Sequence, residues 1–347
     1  MALFTPDENY FGLDLGTNSI KLAQVRELHG SPSLITYGDI EVPANLLASD
    51  SDVDQQRVAD LVKQLAEDAK VTTKNVVAAL PGGTSYTAIV QVPKLNHDEL
   101  AQSIKFQADK YIPMAIDQVK LDWAVVGDVP NSADQEVLLV AAPNNVAEKY
   151  LNIVQKAGLE LMALEINSIA EARSLINRKT PDVCAMILDI GVNATDLAIV
   201  DHQAPRLVRS ISVGSLAMQR VVGQNLGLDK VQADQFLKKF GLMQDKLEGQ
   251  IYRTLKPLMD NLVEEIKKST AFFREKNPST KLEKIVLTGG TSALPELPMY
   301  LANATGMTVE IGNPWQNVSY PSEIQSSLAS LSLNYATAIG LALRNFG

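Results

Sequence analysis

Tyr10-Phe-Gly-Leu-Asp-Leu-Gly-Thr-Asn-Ser-Ile-Lys-Leu-Ala-Gln-Val25 decides how this chain is read, because an altered copy, Ile187-Leu-Asp-Ile-Gly-Val-Asn-Ala-Thr-Asp-Leu-Ala-Ile-Val200, stands far downstream. Setting Asp14 on Asp189 also pairs Leu13 with Leu188, Gly16 with Gly191, Asn18 with Asn193, Leu22 with Leu197, Ala23 with Ala198 and Val25 with Val200. Each copy alternates as strand, turn and strand. A repeat about half a chain apart implies two similar half-molecules facing each other across a cleft. A second echo supports it: Leu80-Pro-Gly-Gly-Thr-Ser85 and Leu287-Thr-Gly-Gly-Thr-Ser292 each close an apolar strand.

The first hairpin has the chemistry of a phosphate cradle. Gly16 lets the chain turn tightly, so the amides of Thr17, Asn18 and Ser19 can converge on one anion, with two hydroxyls beside them. Lys21, two residues past Ser19, shares its strand face. A charge-assisted hydrogen bond contributes about 1.5–3 kcal/mol, so losing Lys21 should weaken a phosphate ligand by roughly one to two orders of magnitude. Asp14 and Asp189 end their strands at the base of each turn, where a carboxylate suits Mg²⁺ held through water. The second copy carries Asp196 in place of Lys21, and Val192 and Ala194 in place of Thr17 and Ser19. It must rely on backbone amides and Thr195. A lone D-x-G strand end is usually just a turn; its duplication reverses that preference.

Between and around the hairpins the chain alternates strands and helices. A third strand is expected over Ser33–Val42, a helix over Val53–Lys70 and a buried strand over Asn75–Leu80. From 85 to 165 the order β-α-β-β-α-β resembles a ferredoxin-like unit, with Asn96 and Glu99 as a capping signal for its first helix. A connecting helix follows from Asn167. Residues 215–277 read as almost wholly helical, with Pro257 starting or kinking the last helix. The final helix, Asn334–Arg344, is rich in small residues that permit close packing.

Composition excludes several classes. With 347 residues and 46% hydrophobic content the chain can bury large cores. Its net charge of −9 argues against nucleic acid. A single cysteine, Cys184, permits no internal disulfide and fits a reducing compartment. No apolar run approaches the roughly 18 residues that span a bilayer, and residues 1–9 have no leader-like pattern, so a cytoplasmic protein without membrane insertion is expected. His29, His97 and His202 lack ligand spacing. Neither GxGxxG nor GxxxxGK[ST] occurs.

Leu13-Asp-Leu-Gly-Thr-Asn-Ser-Ile-Lys21, Leu188-Asp-Ile-Gly-Val-Asn-Ala-Thr195 and Ile285-Val-Leu-Thr-Gly-Gly-Thr-Ser292 resemble, in order, the two phosphate motifs and the adenosine motif of the actin-like ATPase superfamily. The resemblance implies an α/β actin-like fold: two duplicated ribonuclease H-like halves around a nucleotide cleft, an inserted ferredoxin-like α+β subdomain and a helical subdomain. The corresponding boundaries are 1–85 with 166–182 and 334–347 for the first half, 86–165 for the insert, 183–214 with 282–333 for the second half, and 215–281 for the helical subdomain. It implies ATP and Mg²⁺ as cofactors. Gly16, Thr17, Asn18, Ser19, Lys21, Gly191, Asn193, Thr195 and Gly214 would contact the phosphates. Gly289, Gly290 and Thr291, with Glu264, Lys267 and Lys268, would frame the adenosine. By spacing alone those last three are a solvated helix face.

Within the superfamily the chain is similar over its length to the PilM family of type IV pilus assembly proteins. The most specific part is Phe106-Gln-Ala-Asp-Lys-Tyr-Ile-Pro-Met114, together with Tyr335-Ala-Thr-Ala-Ile-Gly-Leu-Ala-Leu343. That similarity implies a cytoplasmic ATP-binding adaptor recruited to the inner face of the membrane for pilus assembly and twitching motility. It would bind the N-terminal segment of a PilN-like protein through Phe106, Tyr111, Ile112, Pro113 and Met114, connect to the motor ATPase and other assembly proteins, and self-associate. On their own, Tyr111, Ile112 and Met114 read as ordinary core packing. No general base stands out: Glu165 and Glu171 flank the connecting helix, and Asn167 occupies the more useful place. Turnover is therefore expected to be slow or conditional. The alternatives are an FtsA-like filament-forming ATPase, a GspL-like secretion component, and a small-molecule kinase of the same superfamily.

Overall fold

The computed structural model describes residues 9–129, 132–180 and 182–346. Its first half runs β1 (Phe11–Leu15), β2 (Ser19–Leu28), β3 (Ser31–Glu41), α1 (Asp52–Asp68) and β4 (Asn75–Leu80). An insert follows, with β5 (Tyr86–Pro93), α2 (His97–Tyr111), β6 (Val119–Asp128) and β7 (Asp134–Pro143). The chain then returns through α3 (Asn144–Lys156) and β8 (Glu160–Ile166) to α4 (Asn167–Leu175). The second half comprises β9 (Ala185–Ile190), β10 (Thr195–Asp201), β11 (Ala204–Ile211), α5 (Ser215–Leu226), α6 (Lys230–Phe240), α7 (Gln250–Lys276), β12 (Lys284–Thr288), α8 (Leu297–Thr305) and β13 (Thr308–Ile311). It closes with α9 (Gln325–Leu331) and α10 (Ala336–Ala342).

The repeat read in the sequence is a repeat of topology. One sheet has the order β3-β2-β1-β4-β8 and the other β11-β10-β9-β12-β13, each five-stranded. In both, the first three strands are antiparallel and the last two run parallel to the centre. Parallel strands are covered on both faces, which is why β4 and β12 read as nearly unbroken apolar runs. Buried Val58, Val62 and Leu65 of α1 share the first sheet's outer core with Tyr150, Ile153 and Val154 of α3. Helices α5, α6 and α7 cover the second sheet through Met218, Leu237, Leu255 and Leu262.

Helices α4 and α10 lie between the sheets. Ala170 and Leu341 pack with Val77 and Ala79 of the first sheet, while Ala172 and Leu175 pack with Ile187 and Val200 of the second. Small residues are required here, because a Cβ at Gly340 would lie 1.8 Å from the Ala170 carbonyl oxygen and one at Gly12 2.3 Å from that of Ala338. Every residue of α10 is buried.

The insert differs from its expected outline. The elements come in the order read from the sequence, and the Asn96–Glu99 capping box is present. However, α3 packs against α1, and β8 pairs with β4 of the first sheet. Strand β4 needs a parallel neighbour on its open side, and β8 supplies it. What remains is a three-stranded antiparallel sheet, β5-β7-β6, covered on one face by α2 through Leu100, Ile104 and Ala108. Pro257 does not start its helix: α7 begins earlier, at Gln250, and contains the proline.

Candidate functional site

The two hairpins bring their charged residues onto matching cross-strand rows. In the first, Asp14 on β1 is opposite Lys21 on β2, which is opposite Asp39 on β3. In the second, Thr288 on β12, Asp189 on β9, Asp196 on β10 and Ser210 on β11 form one row. The alignment of the two sequence copies is therefore an alignment of register, and Asp196 occupies the place of Lys21. Lys21 Nζ is 3.9 Å from Asp14 Oδ2, with both side chains largely buried.

Burial sets the protonation of the acids. It raises the Asp14 carboxyl above the usual range, against the pull of Lys21. Asp189 is pushed up to about 7, first by burial and then by the Asp196 charge, while a hydrogen bond with Glu171 works in the opposite direction. Glu171, only 1% exposed, is raised well above its ordinary value by burial and by Asp189 and Asp196. Asp14 and Lys21 both act on Asp189, so the two halves share one electrostatic site. Its acids outnumber its lysine, and it is short of positive charge.

The turns meet at their tips, where Asn193 Nδ2 donates to Thr17 Oγ1 at 3.4 Å. Among the described residues, no protein acceptor takes the amides of Thr17, Asn18, Val192 or Asn193, which leaves donors for an anion at both turns. The second turn is the more firmly tied. Gly191 N donates to Ala194 O at 3.0 Å, and the Gly191 and Val192 carbonyls accept from Ser215 and Leu216 at the start of α5. Gly214 permits this approach, since a Cβ there would be 2.5 Å from Val192 O. Thr291 Oγ1 also donates to Gly191 O, at 3.1 Å.

Thr195 does not present its hydroxyl to the cleft. It is fully buried and donates to Val213 O at 2.6 Å, because strand alternation that turns Asp196 toward the first half turns Thr195 inward. Its role is to brace the hairpin.

Both glycine turns lean on acids of the second hairpin. Gly289 has φ of 82°, and a Cβ there would be 2.1 Å from Asp189 Oδ1. Its amide donates to Leu333 O at 2.8 Å, and beside it a Cβ on Gly290 would be 3.1 Å from Asn334 Oδ1. The corresponding turn of the first half crosses the cleft: Gly82 N donates to Asp196 Oδ2 at 3.3 Å, and Asn167 Nδ2 donates to the same oxygen at 2.9 Å. Asp196 Oδ1 is buried with no partner. Sequence reasoning noticed Asp196 and Asn167 but assigned neither to the site, and Gly82 appeared only as an echo. The signal for Asp196 was present: an acid beside a buried threonine, on the face that Asp189 shares.

Other expected residues lie on α7, on β8 and on the insert. Glu264, Lys267 and Lys268 are exposed on α7, and Lys268 Nζ pairs with Glu265 Oε1 at 2.7 Å. Among the described residues no hydrogen bond or ion pair joins them to the Gly289–Gly290 turn. Glu165 is held by both guanidinium nitrogens of Arg173, at 3.0 and 3.2 Å, and by Arg344, so it is a structural carboxylate. On the insert, Phe106 is 78% exposed and Tyr111 50%, and Pro113 is also exposed. Ile112 is instead in the core beneath α2, and Met114 packs against that core. Among the described residues no three His, Cys, Asp or Glu side chains could jointly hold a metal ion.

Comparison with known proteins settles the family. The family model described as type IV pilus assembly protein PilM matches residues 12–346. The chain belongs to this PilM family. A solved PilM-PilN type IV pilus biogenesis complex contains a chain 26% identical, with a TM-score of 0.84, covering 98% of this chain and 99% of that one. The ethanolamine utilization protein EutJ from Carboxydothermus hydrogenoformans has a similar fold at 18% identity and a TM-score of 0.58, covering 98% and 90%. So does ADP-bound MreB5 of Spiroplasma citri, at 13% identity and 0.53, covering 90% and 94%. These neighbours establish the actin-like fold. Cell division protein FtsA of Streptococcus pneumoniae serotype 2 (strain D39 / NCTC 7466) is 20% identical over 260 residues, which is 67% of this chain and 56% of that relative. The chain thus matches little more than half the length of that curated relative. Among the described residues, no helix is long and apolar enough to cross a membrane.

Proposed function

We propose that this protein is an ATP-binding adaptor of type IV pilus assembly whose cleft takes Mg·ATP. The observation that carries this reading is the shared site: two turns with untaken amides, one lysine, and acids whose pKa values are raised, first of all by burial. The site's chemistry fits the group: Asp14 and Asp189 are too few to ligate Mg²⁺ alone and are suited to hold its waters. Bound Mg²⁺ supplies the positive charge that lets these carboxyls ionise beside a polyphosphate. Thr17, Asn18, Ser19 and Lys21 hold the terminal phosphates, Gly191 and Asn193 close over them, and Gly289, Gly290 and Thr291 form the wall on the adenosine side. Glu264, Lys267 and Lys268, exposed on α7, complete that wall. Glu165, tied to Arg173 and Arg344, is not available as a general base, and hydrolysis is slow or conditional.

The partner we assign is a PilN-like cytoplasmic segment, docking on the insert where Phe106, Tyr111 and Pro113 are exposed. Through it the protein is recruited to the inner face of the membrane and connected to the motor. A ligand shifts this arrangement only by favouring one state of the halves over another.

Calorimetric titration of Mg·ATP, with phosphate release assayed on the same sample and Asp14→Ala as control, tests the reading. Binding that Asp14→Ala abolishes, with little turnover, is the expected result. No binding overturns it, and brisk turnover favours an enzyme instead.

A further inference from the structure

Strand β11 is an edge strand of the second sheet, and it lies against the Gly82–Thr84 turn of the first half and against β5 and β6 of the insert. At its C-terminal end Ser210, the cross-strand neighbour of Asp196, faces Gly83, where a Cβ would be 3.0 Å from Ser210 Oγ. At the other end Arg206 reaches into the insert, with Nη1 2.7 Å from Glu136 Oε2 and both side chains largely buried.

The receiving site is shaped for the guanidinium. A β-bulge between Val125 and Gly127 shifts the register of β6 so that Gly127 falls opposite Glu136. A Cβ at Gly127 would be 2.9 Å from Arg206 Nη2, so glycine leaves the room and glutamate supplies the charge. Arg206 Nε is buried without a partner, which commits the side chain to this one carboxylate. Removing either member leaves the other buried and unpaired, so the contact resists separation.

We propose that β11 is a coupling arm that ties the position of the insert to the state of the cleft, through Arg206–Glu136 at one end and the Asp196 contacts at the other. Residues 206 and 210 are roughly 13 Å apart along a strand. Regular pairing with β10 from Leu207 to Ile211 stiffens that strand, and Arg206 is the bulged residue at its insert end. When the second hairpin moves relative to Gly82 and Asn167, the arm carries the insert with it. The inference rests on the Mg·ATP reading for its trigger, while the arm itself is a property of the protein alone.

Hydrogen exchange on the full chain tests it. In the wild type, Mg·ATP should change protection both at the turns, residues 16–19 and 191–194, and in the insert strands β6 and β7. Gly127→Val keeps both charges but fills the guanidinium's space, and Glu136→Gln removes the charge. Both should lose the insert response while keeping the turn response. The exchanged pair Glu136→Arg with Arg206→Glu should recover it, and thermal melts show whether each variant is folded. An insert response that persists in both single variants overturns the arm, as does a wild type whose turns respond while its insert does not. If the turns do not respond, the Mg·ATP reading fails, and the arm is judged without nucleotide. Asp196→Ala should then change exchange in β6 and β7 in the wild-type background and not in Glu136→Gln. No change in either background overturns it.

Discussion

Lys21 and Asp196 hold the same register position in two hairpins of the same topology, and this exchange of sign divides the work between the halves. The first hairpin pairs its acid with a cation and ties its turn through Asn18 O, which accepts from Val42 N, and through Thr17 Oγ1, which accepts from Asn193 Nδ2. The second places two acids side by side and fastens its turn to α5, Thr291 and Val213. In the proposed reading the first receives an anion, while the second stays rigid and serves the cation. Duplication supplies the frame, and divergence at a few positions makes a single asymmetric site.

That contrast can be broken most severely at Gly289. Gly289→Ala must leave a backbone of φ 82° and drive a methyl into Asp189. A loss of at least about 2 kcal/mol of stability in chemical denaturation is expected, since strained backbone alone costs of order 1–3 kcal/mol. Lys21→Ala should come next, weakening Mg·ATP by roughly one to two orders of magnitude in calorimetry. A fall of less than threefold, on the order of 0.7 kcal/mol, would mean that Lys21 serves Asp14 and not a phosphate.

The acidic side makes a pH expectation. Asp189 has a folded pKa of about 7 against 3.8 ordinarily, so the folded protein holds a proton that the unfolded chain releases. The contribution is fully present below about pH 4 and is lost as pH rises through about 7. Without ligand the melting temperature should therefore fall between pH 5 and pH 8, and Asp189→Asn should flatten that fall. An unchanged slope in the variant would assign it elsewhere. The smallest effect separates the two threonines: Thr195→Val should cost about 1 kcal/mol of stability and leave Mg·ATP affinity intact. Thr17→Val should do the reverse.

Much of this was legible because the information was local or repeated. The hairpins, β4 and the Asn96 cap follow from alternation, turn chemistry and capping. The duplication followed from Asp14 matching Asp189. What the sequence concealed was set by partners distant along the chain. Nothing near Glu160–Ile166 says that it pairs with β4 rather than with the insert, and nothing near Thr195 says that Val213 O awaits its hydroxyl. No general base stands out in the sequence, and that Arg173 and Arg344 hold Glu165 could not be read there. Glu171, expected to flank the connecting helix, is an acid among Ser168, Ala170, Ala172 and Ser174 and lies within that helix, with little surface left for solvent.

Helix α10 has a consequence for the order of assembly. Its backbone meets β1 at Gly12 and α4 at Gly340, so segments from opposite ends of the sequence complete one another's packing. During synthesis the first sheet must wait, with Tyr10, Ala23 and Val25 uncovered, until residues 336–342 leave the ribosome. Such late, long-range closure makes folding slow and favours chaperone capture of the waiting sheet. A nascent chain arrested before residue 336 should remain protease-sensitive across β1 and β2, while one released after residue 346 should not.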